Sequence, residues 1–137
     1  IPYVALDMDS TRIRECRTKG MPVYFGDASL VEILNAVGTE GARGVVVTLD
    51  QPLAADRVVS KVQALFPEIP IYARARDLPH SRRLEAEGVT QAVPETLEAS
   101  LQLGAITAAA MGASSDEING IIQTFRKEDY ETVEEIR

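Results

Sequence analysis

"PYVALDMDSTRIREC" (residues 2–16) decides the fold. A short apolar run, "YVAL" at 3–6, passes through two aspartates into a stretch with helical character. Asp9 stands where a helix N-cap belongs, ahead of "STRIRECRTK" (10–19), and Gly20 stands where such a helix stops. The same unit then repeats. "PVYF" (22–25) runs through "GDAS" into "LVEILNAV" (30–37), which Gly38 ends. "GVVVTL" (44–49) precedes a helix predicted from Pro52 to Phe66, proline being suited to the first turn. "IYARA" (71–75) precedes "LPHSRRLEAEG", with Asp77 as cap and Gly88 as stop, and "QAV" (91–93) leads into a helix from Pro94 to about Met111. Strand–helix alternation with short connections predicts an α/β fold, a Rossmann-like parallel sheet with helices on both faces. "GVVVTL" is apolar at nearly every position, which predicts a central parallel strand.

From Pro94 the sequence reads as helical to its end, with a break at "GASSD" (112–116). Ser114 or Ser115 can cap a new helix carrying Ile118, Ile121, Ile122 and Phe125 at helical spacing. The expected organisation is an α/β unit over 1–111 and a helical arm over 112–137.

The 137 residues suffice for one domain with a real core, and 45% hydrophobic with 26% charged residues places the chain in the globular class. No apolar run approaches the roughly 20 residues of a membrane-spanning helix. The net charge of −7 argues against nucleic acid as the main partner, because phosphate binding needs clustered Lys and Arg. A local pocket can still oppose that sign and hold an anion. Cys16 and His80 are each the only residue of their type, so no internal disulfide and no zinc cluster are expected, and a reducing compartment is the mild inference. No signal-peptide pattern opens the chain, and the lack of an initial Met reads as a piece of something larger.

The candidate site residues all sit at strand ends. In doubly wound folds a carboxylate at the end of the second strand accepts hydrogen bonds from ribose hydroxyls, and Asp7 fits that place. It also fits a plain loop acid. In "FGDAS" (25–29), Gly26 allows close approach of a flat ring and Asp27 offers an acceptor to an exocyclic amine; Asp27 can equally cap the following helix. "TLDQP" (48–52) puts polar atoms, Thr48 and Asp50 among them, at the crevice end of its strand, with Asp50 more simply a helix cap. Arg74 and Arg76 alternate in a strand and share one face. Charge is costly there, so the strand lies at an edge or the arginines meet an anion or a carboxylate. A structural salt bridge satisfies the same need, and Arg82 and Arg83 add positive charge nearby. His80 reads as a loop histidine, proton-sensitive only if it has a suitable neighbour. "GTEGARG" (38–44) spaces its glycines suggestively but follows a helix and precedes a strand, the reverse of a phosphate-binding turn.

Taken in order, "ALDMD", "PVYFGDAS", "VVVTLD", "IYARARD" and "AVPETLEASLQLG" resemble the RCK domain, also called KTN or TrkA-N, of potassium transport systems. "ARARD" and "PETLEASLQLG" are most like potassium/proton antiporters of the Kef and plant KEA type. The resemblance covers nearly the whole chain. It implies that the family's first strand and its G-x-G-x-x-G turn precede residue 1 and are missing here. It further implies a homodimeric regulatory domain that gates a membrane antiporter or channel domain, on the cytoplasmic face or, in a plastid, the stromal face. The implied ligands are NAD(H) or AMP, with glutathione or its adducts as a further regulator. By position, Asp7 resembles the ribose acid, Asp27 the adenine-side acid and Asp50 a crevice residue, with Gly26, Ala28 and Thr48 completing the nucleotide set. Arg74, Arg76 and His80 fall at the implied anion and dimer cleft, and the helix after Pro94 at the interface.

Two rival readings remain: a truncated Rossmann-type NAD-dependent oxidoreductase, and a dimerisation module with a vestigial pocket. The first needs a catalytic Tyr-Lys, Cys or His over a nicotinamide. Tyr3, Tyr24 and Tyr72 lie in strands, Tyr130 in the tail and Cys16 on the first helix, so no such constellation is visible and no enzymatic activity is expected.

Overall fold

The computed structural model describes residues 1–131. Five strands and six helices alternate: β1 Ala5–Asp7, α1 Ser10–Thr18, β2 Val23–Phe25, α2 Val31–Ala36, β3 Val45–Val47, α3 Pro52–Leu65, β4 Ile71–Ala75, α4 Leu78–Ala86, β5 Gln91–Pro94, α5 Glu95–Ala110 and α6 Ser115–Glu131. A short 3-10 turn at Thr39–Gly41 leads into β3. Every strand pair is parallel, as the alternation predicts.

Local chemistry explains the ends. The Asp9 carboxylate accepts the Thr11 and Arg12 N–H groups and so caps α1, and Asp77 accepts the His80 N–H and caps α4. Gly20, Gly38 and Gly88 follow α1, α2 and α4 with φ of 78°, 77° and 104°, a backbone region in which glycine alone is at ease. Two expected caps are corrected. Asp50 does not cap α3, whose N-cap is Gln51 without a side-chain bond, and Asp27 does not cap α2, whose N-cap is Leu30.

The strands form two ladders, β1–β2 and β3–β4–β5, with no hydrogen bond between β1 and β3. β3 is therefore an edge strand among the described residues, not the central one that its apolar run predicts, and its Val46 side chain is 70% exposed. The core lies on the other face of the larger ladder. Ile71, Ala73 and Ala75 of β4 and Ala92 of β5 pack there with Val58, Val59 and Val62 of α3 and Leu84 of α4. Deep burial of such side chains is the main favourable term, about 1.5–3 kcal/mol for each large one.

The two free edges differ in kind. Ala92 of β5 has its N–H accepted by Glu85 Oε1 and its carbonyl bonded by Ser81 Oγ, both at 3.0 Å, so α4 closes that edge. Leu6 of β1 and Val46 of β3 turn their backbone groups away from their ladders, and those groups meet no partner among the described residues.

After β5 the chain enters α5, turns at Gly112 (φ 93°) and returns as α6, which packs on α5. Arg126 forms a two-pronged ion pair with Glu98 at 2.6 and 3.2 Å, tying the two ends of this hairpin. Ser114 and Glu117 form the capping box of α6: each accepts from the other's backbone N–H.

Candidate functional site

Within each ladder the strands run in parallel, so their carboxyl ends point one way, and the residues singled out from sequence lie at or just after those ends. They fall into separate clusters.

At the end of β1, Asp7 Oδ1 accepts the Asp9 N–H at 2.9 Å, and Oδ2 pairs with Arg12 Nη1 at 2.8 Å. The Asp9 N–H, and next the Arg12 guanidinium, hold the Asp7 carboxyl below its ordinary range against the opposing effect of burial. Arg12 is pushed up in turn by Asp7 first, then by Asp9 and more weakly by Asp50, so the end of β3 lies within electrostatic reach of α1. The Arg12 side chain is mostly exposed, which makes its pairing weak and displaceable.

At the end of β2, the Gly26 N–H donates to the Asp7 carbonyl at 3.0 Å. A Cβ on Gly26 would meet Ile33 Cγ2 at 2.9 Å and Leu6 Cδ2 at 3.3 Å, so here the glycine serves close packing between β1 and α2. Asp27 Oδ1 accepts both the hydroxyl and the N–H of Ser29, which lower its carboxyl, helped by the charge of Arg57. Ala28 packs against the core.

At the ends of β3 and β4, Arg74 is a strut. It donates to the Thr48 carbonyl at 2.6 Å, pairs with Asp50, and lies 3.7 Å from Glu95 at the start of α5. β4 is the middle strand of its ladder, so of the two expected explanations for its arginines, carboxylate partners hold for Arg74. Arg76 lies one residue beyond the strand, exposed, and its guanidinium has no ion-pair partner among the described residues. His80 is not a loop residue. It sits in the first turn of α4, 4% exposed, with Nδ1 accepting the Arg76 N–H at 3.0 Å and Nε2 2.9 Å from Asp56 Oδ1. Arg83 holds the other Asp56 oxygen at 2.9 Å.

A crevice of about 210 Å³ joins this last group: Asp50, Arg74, Arg76 and His80 line it with Glu95 and Thr96. Asp7, Gly26, Asp27, Ala28 and Thr48 lie outside that lining. The family model described as the TrkA-N domain matches residues 1–95. The chain belongs to the TrkA-N domain family.

Its relatives include "K(+) efflux antiporter 2, chloroplastic" of Arabidopsis thaliana, 40% identical over 136 residues, 99% of this chain and 12% of the relative. "Glutathione-regulated potassium-efflux system protein KefC" of Cronobacter sakazakii is 35% identical over 136 residues, 99% of this chain and 22% of the relative. The chain thus spans between 12% and 22% of the length of these antiporters. Among solved structures, the Shewanella denitrificans Kef CTD in its AMP-bound form matches with a TM-score of 0.78 at 23% identity, covering 97% of this chain and 95% of that one, a likeness of fold.

Within this TrkA-N chain, Glu95, Thr96 and Asp56 escaped sequence reasoning. Glu95 had a local signal, an acid directly after a strand end that opens a helix. Asp56 had none, because its partners His80 and Arg83 lie 24 and 27 residues away on another helix.

Proposed function

We propose that this chain is the nucleotide-binding regulatory domain of a potassium/proton antiporter, non-enzymatic, facing the cytoplasm or a plastid stroma. The observation that carries the reading is the match of essentially the whole chain to a segment of potassium efflux antiporters. In the described residues no helix is long and apolar enough to cross a membrane, so the transport path is assigned to other parts of the full-length protein.

The adenosine end of AMP or NAD(H) is assigned to Asp7 and Asp27. Asp7 is held in reserve by an exposed arginine that a ribose can displace, and Asp27 Oδ2 accepts no hydrogen bond among the described residues. Gly26, Ala28, Thr48 and Asp50 shape the rest of that edge. For the phosphates the described residues offer no Gly-rich strand–helix turn. The open edges of β1 and β3 support a further parallel strand between the two ladders, the place where such a turn begins. Arg76, exposed beside His80, and Arg74 are assigned to an anionic regulator, glutathione or one of its adducts. The α/β unit then runs to residue 111 and the α6 arm begins at 112, with residues 132–137 of that arm outside the described structure. The α5–α6 hairpin is the homodimer surface.

Calorimetric titration of AMP and NADH tests the nucleotide reading, using this chain and a version extended N-terminally by one strand and turn. The extended form is expected to bind, and Asp7→Ala to weaken binding by about 1.5–3 kcal/mol, the range for hydrogen bonds to a charged group. Equal affinity with and without Asp7 would reject its role.

A further inference from the structure

His80 is the one histidine of the chain, and both of its ring nitrogens are engaged. A backbone N–H only donates, so Nδ1, facing the Arg76 N–H at 3.0 Å, must carry its lone pair. The ring proton then sits on Nε2 and donates to Asp56. In this arrangement the imidazole is neutral, and its tautomer is set by Arg76. The helix carrying it is fixed independently, through the Asp77 cap and the Ser81 hydroxyl on the Ala92 carbonyl. On its other side, the Arg76 carbonyl accepts the Thr96 N–H at 3.2 Å, in the first turn of α5. The Arg76 backbone is thus pinned between an imidazole and the helix that begins the α5–α6 hairpin.

We propose that His80 is a proton-operated latch: neutral, it holds the Arg76 turn against α4; protonated, it releases that turn, and with it the register between the crevice and the start of α5. A proton on Nδ1 sets two N–H donors head to head, and a hydrogen bond between them is impossible. The groups around the ring decide what happens next. Asp56 from α3 faces Nε2, Asp77 lies at the start of α4, Arg83 sits behind Asp56, Arg76 is on the turn itself, and Asp50, Arg74 and Glu95 line the crevice shared with His80. Asp56 is already in hydrogen-bond contact and serves as counter-ion to an imidazolium, so the proton is not left as an unpaired buried charge. The Arg76 bond is the contact that gives way. None of this depends on which ligand occupies the crevice.

The test is an NMR titration of this chain from about pH 8 to pH 5. Imidazole nitrogen shifts follow protonation and amide exchange follows protection, with the fully buried Val59 reporting the core. As the ring gains its proton, the protection factor of the Arg76 amide is expected to fall at least about tenfold while that of Val59 stays constant. Three outcomes overturn the latch: a ring that protonates with Arg76 protection unchanged, a ring that stays neutral until the core unfolds, or joint loss of protection at Arg76 and Val59. In His80→Asn the Oδ1 atom accepts the same N–H without titrating, and the pH dependence at Arg76 should vanish. Retained dependence in that variant equally refutes the proposal, and if it does not fold, the titration of the unaltered chain still decides.

Discussion

Arg74 touches three residues of two elements through one guanidinium, Thr48 and Asp50 at the β3 end and Glu95 at the α5 start. Removing it leaves two carboxylates near each other with no cation between them. Arg74→Ala is therefore expected to cost about 1–2 kcal/mol in urea unfolding, a modest figure because both partner carboxylates are largely exposed. Arg76→Ala, with no side-chain partner to lose among the described residues, should stay within about 0.5 kcal/mol of the parent. Equal losses would deny the strut. Asp7 adds a pH dependence. Its carboxyl is lowered in the folded chain, so its contribution is present above the ordinary carboxylate range and disappears as pH falls through the lowered value. The gap in urea midpoint between the parent and Asp7→Asn should accordingly close as pH drops below about 4, and a gap that widens there would contradict the pairing. Which aspartates the sequence made legible follows from distance along the chain. Asp9 and Asp77 cap helices beginning at the next residue, and their role is written in the residues beside them. Asp50 looked like a third such cap. Its partner is 24 residues away, which no local pattern encodes, and it competes successfully with the helix end.

Among the elements, strand and helix positions follow the apolar rhythm and the glycine stops closely, because both act over a few residues. β3 did not behave as its composition predicts. "VVV" has the character of a strand covered on every side, yet Val46 faces outward beside an edge with unpaired backbone groups. Composition suits burial on both faces, and among the described residues only the face of Val45 and Val47 is covered. The α5–α6 hairpin presents the opposite case. Its second helix was legible from the spacing of Ile118, Ile121, Ile122 and Phe125, and the structure splits that stripe: Ile118 and Ile122 are half-buried, while Ile121 and Phe125 are exposed. Ser114 is the capping residue, and the Ser114 N–H and hydroxyl hold the Glu117 carboxyl below its ordinary range. Glu117→Ala and Ser114→Ala are each expected to speed amide exchange in the first turn of α6 while leaving the exchange of Val59 in α3 unchanged. A slowed or unaltered first turn would remove the capping box from the account of this helix.

At the scale of the whole molecule, the family was legible because its five stretches are strand ends, where sheet geometry and ligand chemistry constrain the same residues. Oligomeric state was not legible in that way, since an apolar stripe says only that something must cover it. The structure narrows the alternatives. α6 folds back on α5 and not on the sheet, and after it has done so α5 still has no buried residue along its 16 positions. Leu103 and Ile106 remain 67% and 61% exposed, and Met111, Ile121 and Phe125 extend the same hairpin's apolar surface. We propose these exposed apolar side chains of the hairpin as a contact surface. A second copy meets the need directly, since the same patch on both partners is self-complementary about a two-fold axis. Sedimentation equilibrium is expected to give a dimer for the parent chain. Leu103→Glu combined with Ile106→Glu should give a monomer, because burying two carboxylates against their own copies costs several kcal/mol at such an interface. Both changes lie on an exposed helix face, so the packing of β4 and β5 against α3 and α4 should be untouched and the far-ultraviolet spectrum preserved. A parent chain that stays monomeric at high concentration would refute the two-fold model and leave the hairpin surface to another part of the full-length protein.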